Sequence, residues 1–239
     1  PNVEMSQSLA ETVLESGADM LELGIPFSDP LADGPTIQMT SYAALKNNVN
    51  IETVITVLGN LRTDHPTVPL IVMGYYNPFL RYGVERFLDC AAAAGLDGII
   101  VPDLPLEESA EFRQQCYERR IHLVPLLAPT SPTRRIKKAC AVAGGFIYCV
   151  SLTGVTGARR DLSANVERLV LKIRTFTDLP VLVGFGVSRR KHVEFIGEFA
   201  DGAVVASALL DAVNKANDDD KLETAGRFVR ELIERPREL

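Results

Sequence analysis

The strongest constraint on this chain is an alternation that runs through it: short, near-continuous apolar segments separated by amphipathic stretches. The segments are Met20 to Ile25, Leu70 to Tyr75, Gly98 to Asp103, His122 to Leu127, Phe146 to Ser151, Val181 to Gly186 and Gly202 to Ser207. Runs such as FIYCVS and GAVVAS have no polar face to turn toward water. They therefore suit parallel strands covered on both sides, whereas half-exposed antiparallel strands would alternate.

Parallel neighbours need helical crossovers, and helical stripes stand where they are needed. Met5, Leu9 and Val13 precede the first strand, and Ile51, Val54, Ile55, Leu58 and Leu61 precede the second. Val166, Leu169, Val170 and Ile173 repeat the pattern, as do Leu222, Ala225, Phe228, Val229 and Leu232 near the C-terminus. These stripes face a core and imply no cofactor. Helix starts are expected after Thr130, Ser131 and Pro132, at Ser163 and at Ser188. The polar stretch Asn217 to Lys221 is expected to be a loop between C-terminal helices.

The pattern predicts an α/β chain forming one (β/α)8 TIM-barrel domain over residues 1–239. Such a barrel has eight strands; seven are found here and a helix comes first, so the first strand is expected to precede Pro1. The competing fold is an open doubly wound sheet, whose GxGxxG opening is missing.

Charge and cysteine content exclude several function classes. With 25 Lys+Arg against 31 Asp+Glu the net charge is −6, so the long-range field does not favour nucleic acid. Cys90, Cys116, Cys140 and Cys149 form no CxxC pair and have no histidine close in sequence, which argues against zinc and for buried free thiols in a reducing compartment. No apolar run approaches the ~20 residues of a membrane helix. A cytoplasmic chain with no membrane partner is expected.

In either fold, ligands bind beyond the C-terminal ends of the strands. After the first segment, LELGIPFSDPLADGPTIQ puts Glu22 within the strand and Asp29 and Asp33 in a Pro-rich loop that cannot become helical before about Pro35. Glu22, among Leu21, Leu23 and Ile25, is expected to be desolvated with a raised pKa, the condition for acid/base work near neutrality. Asp33 is expected to be more solvated and ionised, and two carboxyls in contrasting environments form a recurring acid/base pair. The bland alternatives are a structural hydrogen bond for Glu22 and a turn or helix-cap role for Asp33.

The segment Leu152 to Arg160, with Gly154 and Gly157, suits a mobile lid whose backbone N–H groups face an anion. Together with the strand ends at Gly186 and at Ala206-Ser207 it favours a phosphorylated substrate; the alternative is that these glycines only permit tight turns. The remaining strand-end residues Met73, Tyr75, Ile100, Leu126, Tyr148 and Phe185 are individually read as core packing, although those facing the mouth could hold a flat apolar group. His65, His122 and His192 fall away from the strand ends and are read as non-catalytic.

The segments LELGIPFSDPLADGPTIQ, VPDLPLEES, SLTGVTGARR and VGFGVS, in that order, closely resemble the tryptophan synthase alpha subunit family. The resemblance implies a (β/α)8 barrel that cleaves indole-3-glycerol phosphate to indole and glyceraldehyde 3-phosphate in tryptophan biosynthesis. It implies that Glu22 shuttles protons between the indole C3 and the C3′ hydroxyl, and that Asp33 meets the indole N1. Tyr148 then lines the site, and Thr156 is the lid threonine. Gly157, Gly186, Ala206 and Ser207 fall at phosphate-binding positions, and Ile100, Leu126 and Phe185 flank the indole ring.

The implied partner is a beta subunit in an αββα heterotetramer, contacted through Pro26, Asp29, Asn77 and Pro105. Pyridoxal phosphate is expected only in that partner, with no cofactor in this chain. Ala206 replaces a glycine usual in the family, and a positive φ there would be strained. The alternatives are a stand-alone indole-3-glycerol phosphate lyase and a non-catalytic barrel that binds and activates a beta subunit.

Overall fold

A computed structural model of the chain describes residues 2–150, 159–184 and 186–233. The strands among these are β1 (Leu21–Gly24), β2 (Leu70–Met73), β3 (Gly98–Ile100), β4 (His122–Leu123), β5 (Leu126–Leu127), β6 (Ile147–Val150), β7 (Val181–Gly184) and β8 (Gly202–Val204). They form two four-stranded sheets in the orders β1-β2-β3-β4 and β5-β6-β7-β8, and every pairing is parallel.

All seven expected segments are strands, and the His122 to Leu127 segment is two, β4 and β5, interrupted at Val124-Pro125. Pro125 has no N–H to give to a ladder, while its carbonyl still accepts from the Tyr148 N–H at 3.1 Å. Within each sheet the strands follow chain order. A doubly wound sheet reverses its order at a switch point, so neither sheet fits the competing fold.

The crossovers are helical, as parallel pairing demands, and helices follow Thr130-Ser131-Pro132 and Ser188 as expected, but the caps differ and the Ser163 start does not hold. The helix at Thr133–Val142 has Pro132 as N-cap with no side-chain cap, because the Ser131 hydroxyl is turned back to accept from the Ala128 N–H at 3.0 Å. The next helix spans Arg159–Ile173, so Ser163 lies inside it and does not start it. A third begins at Arg190, two residues beyond Ser188. Two asparagines cap helices instead: Asn2 accepts from the Met5 N–H at 2.8 Å, and Asn50 forms a capping box with Thr53. The expected loop at Asn217 to Lys221 contains a 3-10 turn, Asp218–Asp220.

The described residues fall into two compact units, one running to Leu123 and resuming at Leu209, the other spanning Val124–Ala208. The first is built on Leu58, Leu61, Leu70, Phe79, Phe87 and Ile99, all essentially inaccessible to water. The Phe79 ring stands 4.4 Å from Phe87 and 6.1 Å from Phe112. Val13, Val213, Ala225 and Val229 form a second cluster in this unit. The second unit buries Leu127, Ile136, Ile147, Val170, Ile173 and Val181.

Each unit also contains the same polar brace. In the first, Asp97 accepts from the Leu70 N–H at 2.8 Å and pairs with Arg62, which also reaches the Gly95 carbonyl. In the second, Asp201 accepts from the Val181 N–H at 2.8 Å and pairs with Arg174, which reaches the Phe199 carbonyl. In both, the aspartate precedes one strand and satisfies the first N–H of the preceding one, a group that would otherwise lack a partner.

All four cysteines are free, and Cys116, Cys140 and Cys149 are buried. Burial pushes the thiols of Cys116 and Cys149 up to about 12. Among the described residues no helix is long and apolar enough to cross a membrane.

Candidate active site

In the first unit the site begins at β1. Glu22 is the second residue of that strand, in register with Ile71 of β2. The chain then leaves through Pro26 and folds into tight turns, with the Leu31 N–H bonded to the Asp29 carbonyl at 2.9 Å and the Asp33 N–H to the Pro30 carbonyl at 3.1 Å. The Ser41 hydroxyl accepts from the Phe27 N–H at 2.8 Å and donates to the Phe27 carbonyl at 3.0 Å, pinning the loop's entrance. Pro35 opens the following helix, Pro35–Lys46, at the position expected of it.

Burial first, and the nearby charge of Asp33 second, push the Glu22 carboxyl from 4.5 up to about 7. Among the described residues no hydrogen bond contributes to that shift. Asp33 is half-buried and so less solvated than the sequence suggests. Burial raises its pKa, and a hydrogen bond from the Tyr75 hydroxyl pulls it back down. The two carboxyls do have different surroundings, but what distinguishes Asp33 is a donor and not bulk water. Nor does Asp33 cap the helix: the N-cap is Gly34.

Tyr75, expected from the sequence to be core packing, is a functional candidate as well. It is 4% exposed, its ring is 5.4 Å from that of Phe27, and its hydroxyl accepts from the Ala32 N–H at 2.8 Å. Burial foremost pushes the phenol up to about 12, so at neutral pH it keeps the proton it donates to Asp33. The signal in the sequence was a tyrosine at a strand end facing an Asp-containing loop, since a buried hydroxyl needs a partner.

Two neighbours place Tyr75. A side chain at Gly74 would put a Cβ 2.9 Å from the Phe79 ring and 3.2 Å from Ile25, so only glycine lets the chain pass there. Asp103 accepts from the Tyr76 N–H at 2.9 Å, fixing the start of the helix Tyr76–Tyr82.

The other predicted residues of this unit sit at or just beyond strand ends. Ile100 ends β3 and is buried. Pro26 is half-buried, and Asp29, Asn77 and Pro105 are exposed after β1, β2 and β3 respectively.

In the second unit, Leu126 opens β5 and Tyr148 lies in β6, both half-buried. Gly184 of β7 packs against Tyr148: a Cβ there would fall 2.9 Å from the ring carbon that bears the hydroxyl. Gly186 has φ +52 with open space around it and is exposed. Ala206 and Ser207 are exposed too, and Ser207 is the first residue of the helix Ser207–Lys215. The strain expected at Ala206 does not arise: among described non-glycine residues only Asn48 and Arg120 have positive φ. Free N–H groups at a helix start suit an oxyanion. Thr156, Gly157 and Phe185 lie outside the described residues.

Chemically, the first unit offers a carboxylic acid titrating near neutrality beside a hydrogen-bonded carboxylate. The second offers backbone donors at an exposed helix start.

The family model described as tryptophan synthase alpha chain matches residues 1–234. The alpha chain of Chloroflexus aggregans is 48% identical over 233 residues, covering 98% of this chain and 87% of that protein. The Aquifex aeolicus alpha chain is 45% identical over 239 residues, covering 100% of this chain and 90% of the relative. Among solved structures, a chain of the tryptophan synthase α2β2 complex of Pyrococcus furiosus superposes with a TM-score of 0.89 at 39% identity, covering 98% of this chain and 93% of that one. The alpha subunit of Legionella pneumophila gives 0.88 at 33% identity, covering 96% and 86%. The fold class is that of the (β/α)8 barrel. By its matched length and its identity to these proteins, the chain belongs to the tryptophan synthase alpha chain family.

Proposed function

We propose that the chain is a carbon–carbon lyase, the alpha subunit of a tryptophan synthase, which cleaves indole-3-glycerol phosphate to indole and glyceraldehyde 3-phosphate. The observation that carries this reading is the pair Glu22 and Asp33, with the Glu22 carboxyl at about 7 because of burial and the Asp33 charge. A retro-aldol cleavage needs a proton delivered to the indole C3 and one removed from the C3′ hydroxyl. Protonated Glu22 gives its proton to C3, and its carboxylate then takes the hydroxyl proton. The C3–C3′ bond breaks, its electron pair restores the aromatic ring, and the carbonyl of glyceraldehyde 3-phosphate forms. Asp33, oriented by Tyr75, accepts the indole N1–H and stabilises the positive charge that develops on the protonated ring. The cleavage needs proton transfers and no external oxidant or reductant, so no cofactor of this chain's own is called for.

In this reading Ile100, Leu126 and Phe185 flank the indole and Tyr148 lines its pocket. Gly157, Gly186, Ala206 and Ser207 present backbone N–H groups to the phosphate, with Thr156 on the covering loop. The beta subunit, which holds the pyridoxal phosphate, docks on the surface carrying Pro26, Asp29, Asn77 and Pro105. Exposure of the last three, each after a strand end of the same unit, supports that surface. The deciding experiment measures indole release from indole-3-glycerol phosphate by the chain alone and with a beta subunit. Release that rises with the partner is expected. Full activity that a beta subunit leaves unchanged would make the chain a stand-alone lyase, and no release in either condition would make it a non-catalytic binding subunit.

A further inference from the structure

The helix Pro35–Lys46 follows directly on the Asp33 loop, yet apolar burial anchors it weakly. None of its residues is buried, Met39 and Tyr42 are 55% and 60% exposed, and its N-cap Gly34 supplies no side-chain bond. An element so placed depends on polar links to hold its end. Ser41 makes one, to the Phe27 backbone, and Gln38 another, its side-chain amide donating to the Asp33 carbonyl at 2.8 Å. Thr36 makes a third, to another helix: its hydroxyl donates to the Asp211 Oδ1 at 2.8 Å, across 175 positions of sequence, in a partly buried setting.

Asp211 lies in the helix Ser207–Lys215, four residues after Ser207. The carboxylate that holds Thr36, three residues beyond Asp33, belongs to the same unit as that loop.

We propose that Asp211 is a positioning residue that acts through Thr36, holding the start of the helix that follows Asp33 so that Asp33 stays aligned with its substrate proton. The idea rests on the proposed function for its substrate but not for its geometry. A hydroxyl donating to a carboxylate is a strong, directional link. Its loss releases the first turn, with the Asp33 carbonyl that Gln38 binds, from the neighbouring helix. Asp33 then spends less time aligned with its proton donor, while the groups that bind substrate stay in place.

The test is a double-mutant cycle on the full chain, reading kcat and KM for indole-3-glycerol phosphate with Thr36→Val, Asp211→Ala, the pair together, and Thr36→Ser. Each single variant is expected to lower kcat about tenfold with KM changed less than about twofold. The double variant should be no worse than either single one, and Thr36→Ser should restore most of the rate. Additive losses would show that the two residues do not act through each other, and a bond that only supports the fold would lower the urea midpoint or change KM alone while leaving kcat; either would overturn the assignment.

Hydrogen exchange across residues 30–40 supplies a readout independent of turnover. Exchange is expected to be faster in Asp211→Ala than in the native chain and in Thr36→Ser. Equal protection in all three would refute the link even if the native chain failed to release indole. That last failure, by itself, would count against the proposed function alone.

Discussion

The Tyr75 hydroxyl accepts at 2.8 Å from the N–H of Ala32, the residue before Asp33, and holds the Asp33 pKa down against burial. One phenol thus fixes both the backbone and the charge of the proposed N1 acceptor. Since burial raises the phenol's own pKa to about 12, it acts as a constant donor at every working pH. The arrangement is an oriented acceptor held by a buried hydroxyl, the kind of support that keeps a catalytic carboxylate within reach of productive geometry.

Replacing Tyr75 by Phe removes the donor and leaves the Ala32 N–H without its acceptor. Because the hydrogen bond lowers the Asp33 pKa against burial, its loss raises that pKa. The acid limb of the kcat profile is expected to move to higher pH, with kcat at pH 7 down by about tenfold. Steady-state indole release measured from pH 5 to pH 9 checks both parts. An unshifted acid limb would remove Tyr75 from the site.

Glu22 sets the opposite limb. It must be protonated to act as the acid, and with its carboxyl at about 7 the rate is expected to fall as pH rises through that value. The same shift has a cost in stability. Below 4.5 the group is protonated in both folded and unfolded states, whereas between 4.5 and about 7 only the folded state keeps the proton, so stability declines across this window. Glu22→Gln is therefore expected to stabilise the fold at pH 8 by up to about 3 kcal/mol, and hardly at pH 4, while lowering kcat about a thousandfold. Urea unfolding at both pH values, run beside the activity assay, tests the trade. A variant less stable than the native chain at pH 8 would show that Glu22 is a structural residue.

Much of this was legible in the sequence, for reasons that can be stated residue by residue. Continuous apolar runs located every strand among the described residues, because strands covered on both faces carry no alternation to confuse the reading. Pro35 marked a helix start correctly, since its fixed φ and missing N–H suit that position. Serine was a poorer guide: Ser131 spends its hydroxyl on a turn, and Ser163 lies within a helix. The split at Pro125 was in plain view, and its consequence follows from one absent donor. Glu22 was legible because its strand neighbours are apolar. Tyr75 was not, because the contact that gives it a role joins residues 43 positions apart, and no local pattern reports such a pairing.

Gly184→Ala tests the second unit by itself. The added Cβ would lie 2.9 Å from the Tyr148 ring carbon bearing the hydroxyl, so the ring must move. The expected outcome is a rise of about tenfold in KM for indole-3-glycerol phosphate with a smaller fall in kcat, because Tyr148 is proposed to line the pocket and not to transfer protons. Pairing Gly184→Ala with Tyr148→Phe, which shortens the clashing side chain, should recover part of the loss. No change in KM would mean that Tyr148 does not touch substrate.

The repeated Arg–Asp brace makes a prediction about stability alone. Burial by itself would raise the Asp201 pKa, but the Val181 N–H and Arg174 outweigh it and hold the carboxyl below its usual 3.8. A carboxylate depressed in this way stabilises the fold at pH values above 3.8, and its contribution is lost as pH falls through the lower folded-state value. Asp201→Asn keeps an acceptor for the Val181 N–H but gives up the ion pair, so it is expected to cost about 1 kcal/mol at pH 7. The gap from the native chain should close in acid. Asp97→Asn, which breaks the matching pair with Arg62 in the other unit, should destabilise at pH 7 to a similar degree. Urea midpoints at pH 7 and pH 3 decide the matter: a loss at Asp201 that persists unchanged in acid would show that packing, and not charge, is what its carboxylate contributes.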